Sequence, residues 1–308
     1  MLTSIELCAG AGGQALGLEQ AGFAHRLLLE NDADACASLR INRPKWNVIE
    51  ADIRRMDASY WKGIDLLAGG LPCPPFSIAG QQLGERDDRD LFSALMRLID
   101  QTQPRAVLVE NVRGLLSSRF ADYRALLDEK LHIRGFDPYW SMFNAVDFGV
   151  PQSRSRVFLI ALRRGETKAL EWPINYDQPP KTVAEATADL MAENGWQGLD
   201  DWISLASQPA PTIVGGSKKH GGPDLGPTRA RQQWAALGID GKGIANLAPE
   251  RDFDGMPRLT NRMVARLQAF PDDWQFFGNK TSVYRQIGNA LPVQLAEAVG
   301  RSIRKCLI

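Results

Sequence analysis

Along residues 1–162, short apolar runs alternate with stretches whose apolar positions recur three and four apart. That alternation is the pattern of strand–helix units wound around a parallel sheet. It predicts strands over residues 2–7, 26–30, 48–51, 64–68, 106–110 and 157–162, and helices over 14–21, 32–41, 90–100 and 119–131. Asp32 and Asp90 stand where helix N-caps belong. After Arg164 the texture changes. Residues 164–201 carry three basic and eight acidic side chains, whereas residues 211–262 carry eight basic and five acidic. The second of these stretches is rich in Gly and Pro and predicts no helical period until about Thr260. Acidic chain followed by basic, glycine-rich chain suggests a small separate domain with one face meant for an anion. A helical pattern returns over 292–303, where the chain is expected to close back on the first domain. The predicted organisation is one domain from 1–172 with 275–308, and a small irregular domain from 173–274.

Composition adds little. The chain has 308 residues, 44% hydrophobic and 23% charged, which suits about two globular domains. Its 36 basic residues balance 36 acidic ones, so net charge neither favours nor excludes nucleic acid. No apolar run approaches the roughly 18 residues of a membrane span. The first basic residue is Arg26, so no signal peptide is expected. The four cysteines form no C-x-x-C pair, which argues against structural zinc and a disulfide framework and fits a cytoplasmic setting.

Four places carry candidate chemistry. The first predicted strand runs into CAGAGGQALG, where Gly10, Gly12 and Ala15 satisfy G-x-G-x-x-A and Glu30 follows 20 residues after Gly10. Small residues admit a ligand close to the backbone, and a carboxylate at that distance can accept from ribose hydroxyls. A nicotinamide dinucleotide and any other adenosine-bearing cofactor fit equally, and an NAD-dependent oxidoreductase is a rival reading from this loop alone. In GGLPCPPFS, three prolines hold Cys73 on a loop beyond the carboxyl end of a strand, where open α/β sheets bind ligands. AVLVEN puts Glu110 and Asn111 at the same sheet edge; a buried Glu110 would donate a proton to a ring nitrogen beside the cysteine. FGVPQSRSRVFLIA spaces Gln152, Arg154 and Arg156 so that one strand would present all three on one face.

In this order these motifs resemble the cytosine C5-specific DNA methyltransferases, of the bacterial restriction–modification type, nearly end to end. ELCAGAGGQALGLEQAGF is similar to the family's cofactor loop, LLEND to its ribose-binding acid, ADI to the pair at the adenine, and GGLPCPPFS to the nucleophile loop. VLVENV, QSRSR, RLTNRMVARLQAFPDDW and YRQIGNALP follow in the family's order. The resemblance implies a Rossmann-like α/β fold: a mixed, mostly parallel sheet with helices on both faces plus a small irregular target-recognition domain. It implies S-adenosylmethionine as cofactor, held by Gly10, Gly12, Gly13, Glu30, Asp52, Ile53 and Asn289, and no metal. Cys73 would be the nucleophile, Glu110 its acid partner, and Asn111, Arg154 and Arg156 would orient a flipped-out cytosine. Ser77, Thr212, Lys218, Lys219, Arg229 and Arg231, with His220, would meet double-stranded DNA, Thr212 and Ile213 matching the family's Thr-hydrophobic pair. A monomer with a cognate restriction endonuclease as functional partner is implied. A tRNA cytosine methyltransferase keeps the fold and changes the substrate, but the Cys-Phe-Thr triplet of that lineage is absent. A decayed, non-enzymatic DNA-binding relative is disfavoured by the joint presence of Cys73, Glu110 and both arginines. Three positions depart from the family: Cys8 replaces an aromatic residue, Pro74–Pro75 replaces Gln-Gly, and Met263 replaces an acid.

Overall fold

The computed structural model describes residues 1–72, 91–216 and 222–308. The chain divides into two compact units, Met1–Phe143 with Ser155–Ile174 and Ala296–Ile308, and Asn144–Arg154 with Asn175–Leu295. Residues 275–295, read from sequence with the first domain, thus group with the second unit.

The first unit is built on a seven-stranded sheet: β1 (Leu2–Leu7), β2 (Phe23–Glu30), β3 (Val48–Glu50), β4 (Leu66–Gly70), β5 (Ala106–Val112), β6 (Phe136–Asn144) and β7 (Ser155–Arg163). Their order across the sheet is β3-β2-β1-β4-β5-β7-β6. β1, β2, β3, β4 and β5 run parallel, and β7 is antiparallel to β5. In β1, Ile5 and Leu7 are buried on one face while Ser4 and Glu6 are buried on the other. Burial of both faces is the mark of a strand covered by helices on each side. The helices are α1 (Gly13–Gln20), α2 (Ala33–Asn42), α3 (Leu91–Thr102) and α4 (Ala121–Ile133). Asp32 caps α2 as predicted, its carboxylate accepting the amides of Asp34 and Ala35. α3 packs Phe92, Leu95, Leu98 and Ile99 into a core shared with Ile5, Leu7, Val107 and Leu159. β6 was not predicted. It lies at the sheet edge, where a proline such as Pro138 is tolerated, and its half-buried FDPYWSMFN reads as neither period.

The second unit contains α5 (Val183–Met191), α6 (Leu199–Leu205), α7 (Thr228–Ala235), α8 (Asn261–Leu267) and α9 (Lys280–Asn289); α10 (Val293–Leu307) starts in it and ends in the first. α7 falls inside the stretch expected to lack helix. Its sequence, TRARQQWA, buries only Trp234, so no apolar stripe announces it. α5 begins with a capping box, Thr182 and Glu185 exchanging backbone-to-side-chain bonds at 2.7 and 3.1 Å. α8 makes the same box with sulfur: the Thr260 amide donates to Met263 Sδ at 3.4 Å. Met263 thus keeps the cap where the family usually has an acid, while burying its side chain completely. Among the described residues, no helix is long and apolar enough to cross a membrane.

Candidate active site

Because β1, β2, β4 and β5 are parallel, their carboxyl ends meet at one edge of the sheet, together with the amino-terminal end of the antiparallel β7. β1 leaves the sheet through a loop in which Cys8, Gly10 and Gly12 all take positive φ, at 53°, 53° and 90°. Gly10 needs its freedom for its left-handed backbone, and the space beside it is open: an added Cβ would meet nothing within 4 Å. Gly12 is the N-cap of α1, and Gly13 is its first residue.

Glu30 ends β2 and is 8% exposed. Its Oε2 accepts the Gly10 amide at 2.7 Å, and its Oε1 accepts the amides of Asn31 and Asp32 at 2.8 Å each. A carboxylate offers about four acceptor sites, so roughly one remains for an incoming hydroxyl. Beyond β3, Asp52 caps a short 3-10 turn, Ile53–Arg55, and pairs with Arg54, which holds its carboxyl down at about 2. Ile53 is buried. Cys8 is an inert thiol, pushed up to about 12 by burial and then by Glu30, Asp52 and Glu6.

At the end of β5, Glu110 Oε1 pairs with Arg156 Nε at 2.8 Å, the two side chains only 14% and 11% exposed. Burial lowers the Arg156 pKa, and Glu110 opposes that shift. Arginine remains charged even so. Glu110 is thus one half of a nearly buried ion pair at the end of β5. Asn111, 4% exposed, donates from Nδ2 to the Leu71 carbonyl at 2.9 Å and accepts the Val112 amide at 2.8 Å. It pins the chain two residues before Cys73. Cys73 and Ser77 lie outside the described residues, as do Pro74 and Pro75.

The expectation that Gln152, Arg154 and Arg156 share a strand face is corrected. β7 starts only at Ser155, and the first two residues belong to the second unit. There Arg154 is 1% exposed, and its Nη1 and Nη2 donate to the carbonyls of Ile213 at 2.6 Å and Gly288 at 2.9 Å. Gln152, fully buried, accepts the Ile213 amide at 2.9 Å and donates to the Leu267 carbonyl and to Gln268 Oε1. Gln268 in turn donates to the Ile287 carbonyl at 2.7 Å. The Thr212 hydroxyl donates to the Ser153 carbonyl, and Asn289 Nδ2 to the Gly216 carbonyl at 3.2 Å. Gly215 and Gly288 touch backbone to backbone: a Cβ on Gly288 would sit 2.6 Å from Gly215 Cα. One buried polar network thus joins the QSRSR segment, the TIVGG loop, the end of α8 and the GNA turn. Arg231 Nε is spent on the Gly226 carbonyl at 2.8 Å, and Arg229 is exposed on the first turn of α7. Lys218, Lys219 and His220 lie outside the described residues. Gln268 was overlooked as a site residue; its only signal was its place within RLTNRMVARLQ.

The profile described as "C-5 cytosine-specific DNA methylase" matches residues 2–305. The chain belongs to that family. It is 51% identical over 308 residues to the Type II methyltransferase M.NgoMIV of Neisseria gonorrhoeae, covering 99% of this chain and 98% of the relative. It is also 51% identical over 312 residues to M.NaeI of Lentzea aerocolonigenes, covering 99% of this chain and 75% of the relative. The crystal structure of a mutant of Spodoptera frugiperda DNMT2 shares the fold at a TM-score of 0.67 with 18% identity, covering 99% of this chain and all of that one. The protein is thus a DNA cytosine-5 methyltransferase, and the rival oxidoreductase reading of the glycine loop falls away. In this methyltransferase, the Glu110–Arg156 pair and the Asn111 anchor occupy the sheet edge where an α/β enzyme does its chemistry.

Proposed function

We propose that this methyltransferase uses S-adenosylmethionine and acts through a covalent Cys73 adduct on a cytosine flipped from duplex DNA. The Glu110–Arg156 ion pair, held beside the strand that leads to Cys73, carries the reading. The first unit fits the cofactor: Gly10 faces open space, the Gly10–Gly13 loop leads into the N-terminus of α1, and Glu30 keeps an acceptor site for ribose. Asp52 and Ile53 would hold the adenine, and Asn289 would serve the amino-acid end. When bound, S-adenosylmethionine supplies an electrophilic methyl group.

The chain's own residues make carbon 5 able to take it. The Cys73 thiolate forms a bond to carbon 6, and the electron pair of the 5,6 double bond moves toward carbon 5. A proton taken up from solvent passes through Glu110, held in place by Arg156, to ring nitrogen 3 as the thiolate adds, so negative charge does not build there. After methylation a base takes the carbon-5 proton, that electron pair restores the double bond, and the sulfur–carbon bond breaks to return the thiolate. Arg156 orients Glu110, while Asn111 sets the start of the Cys73 loop through Leu71. Extracting the base from the stack costs a few kcal/mol. Ser77, Lys218, Lys219 and Arg229 would contact the duplex, with residues 173–274 supplying recognition. Arg154 acts here as a strut for the TIVGG loop and the GNA turn, and Arg231 as a tie within the basic region.

The similarity to two named Type II methyltransferases supports a role as the modification half of a restriction–modification system, paired with an endonuclease. One chain carries the whole motif set, which supports action as a monomer. Bisulfite sequencing of plasmid from cells expressing the protein tests the reading. Uniform 5-methylcytosine at one position of one short sequence is expected; methylation scattered without a shared sequence, or none, would overturn it.

A further inference from the structure

Between β3 and β4, the backbone from Asp52 to Ala58 forms only short turns and leaves several polar groups without a regular partner. Two side chains of α3, one turn apart, take them up. Arg97 Nη2 donates to the Ile53 carbonyl at 2.9 Å and the Arg54 carbonyl at 3.2 Å, and Arg97 Nη1 donates to the Met56 carbonyl. Gln101 Oε1 accepts the Ala58 amide at 3.0 Å and Arg97 Nη1 at 3.3 Å. The turn's own bonds are few: Arg55 N–H to the Asp52 carbonyl at 2.9 Å, and a long one from the Met56 N–H to Ile53 at 3.4 Å.

We infer that Arg97, braced by Gln101, is a positioning residue for the adenine side of the cofactor site. It works by fixing the Asp52–Ile53 turn from behind. The inference rests on the S-adenosylmethionine reading above. Three features of the geometry carry it. The planar guanidinium reaches three carbonyls of one turn, which a lysine ammonium, a single point charge on a different stem, does not match. Asp52 is committed to its own turn, through the Arg54 amide and guanidinium, so it does not tie the turn to the rest of the unit. The opposite face of α3 is locked into the core by Phe92, Leu95, Leu98 and Ile99, so the clamp has a rigid base. Ligand ordering is cheaper when a binding turn is already fixed, so the clamp lowers the cost of binding without touching the ligand.

Arg97→Met and Arg97→Lys, in the full chain, test this by calorimetric binding of S-adenosylhomocysteine and by hydrogen exchange of the apoprotein. Arg97→Met is expected to bind about tenfold more weakly, equivalent to about 1.4 kcal/mol. Its amides over residues 53–58 should exchange faster while those of β1 and β5 do not, and the kinetic loss should fall on KM for the cofactor more than on kcat. Arg97→Lys, which keeps the charge on a single donor nitrogen, is expected to recover part of the affinity and serves if the methionine variant fails to fold. Binding by both variants equal to that of the wild type would overturn the inference alone. A wild-type protein that did not bind S-adenosylhomocysteine would overturn the cofactor reading beneath it.

Discussion

Glu110 shows how one side chain's neighbour changes its chemistry. At the end of β5, Arg156 at 2.8 Å makes it half of an ion pair rather than a lone carboxyl. Replacing Glu110 with Gln keeps the shape and removes the charge. The change is expected to lower kcat by roughly 10²–10⁴, the range of a lost acid–base group, while S-adenosylhomocysteine binding stays within about twofold. Steady-state kinetics beside calorimetry read this; equal losses in both would make Glu110 a structural residue. His25 makes a separate prediction. Its Nε2 lies 2.8 Å from the Ala15 carbonyl and its Nδ1 2.9 Å from the Ser4 hydroxyl, so the neutral ring donates to Ala15 and accepts from Ser4. Burial lowers its pKa, outweighing the opposing effects of Ala15 and Glu19. The unfolded chain therefore takes up a proton below about 6.5 that the folded chain resists, so stability falls as pH drops from that value toward the folded pKa. Thermal unfolding of the wild type and His25→Gln across that window should show a steeper acid loss in the wild type.

At the scale of elements, the buried network of Gln152, Arg154 and Gln268 is the device that joins loops with almost no regular structure. Arg154→Met removes both donors and leaves the Ile213 and Gly288 carbonyls buried without them. A loss on the order of 2–4 kcal/mol is expected in urea unfolding: an orphaned Ile213 carbonyl costs about 1–3 kcal/mol, and the Gly288 carbonyl, left with only the 3.4 Å bond from Gln268, adds about 1 kcal/mol. A loss below about 1 kcal/mol would show that the network does not hold the unit together. The same elements show what the sequence made legible. The parallel strand β5 announces itself by the apolar run AVLV, because burial on both faces demands it, whereas β1, LTSIEL, buries Ser4 and Glu6 on its second face and is legible only from its alternation. α7 does not, since a helix that buries one tryptophan leaves no periodic trace. β6 hides for a related reason, being an edge strand with a proline and one half-exposed face. The cofactor-loop glycines were legible because left-handed backbone at Gly10 and Gly12 restricts residue type, and the ENV residues because polar side chains end an apolar strand. Arg97, Gln268 and the structural role of Arg154 were not: their partners are backbone carbonyls distant in sequence, and a carbonyl looks alike beneath every residue.

For the molecule as a whole, the central claim is that one chain moves a methyl group to carbon 5 of cytosine in DNA through Cys73. Family membership establishes the class of reaction, and the sheet edge supplies Glu110, Arg156 and Asn111 around the approach to that cysteine. The most direct measurement is transfer of label from methyl-labelled S-adenosylmethionine by the wild type and Cys73→Ser, offered mixed-sequence duplex DNA and total tRNA in separate reactions. The account predicts label in DNA, recovered as 5-methylcytosine, and its loss in the variant. Label that entered only tRNA, or DNA methylation that survived in Cys73→Ser, would contradict it.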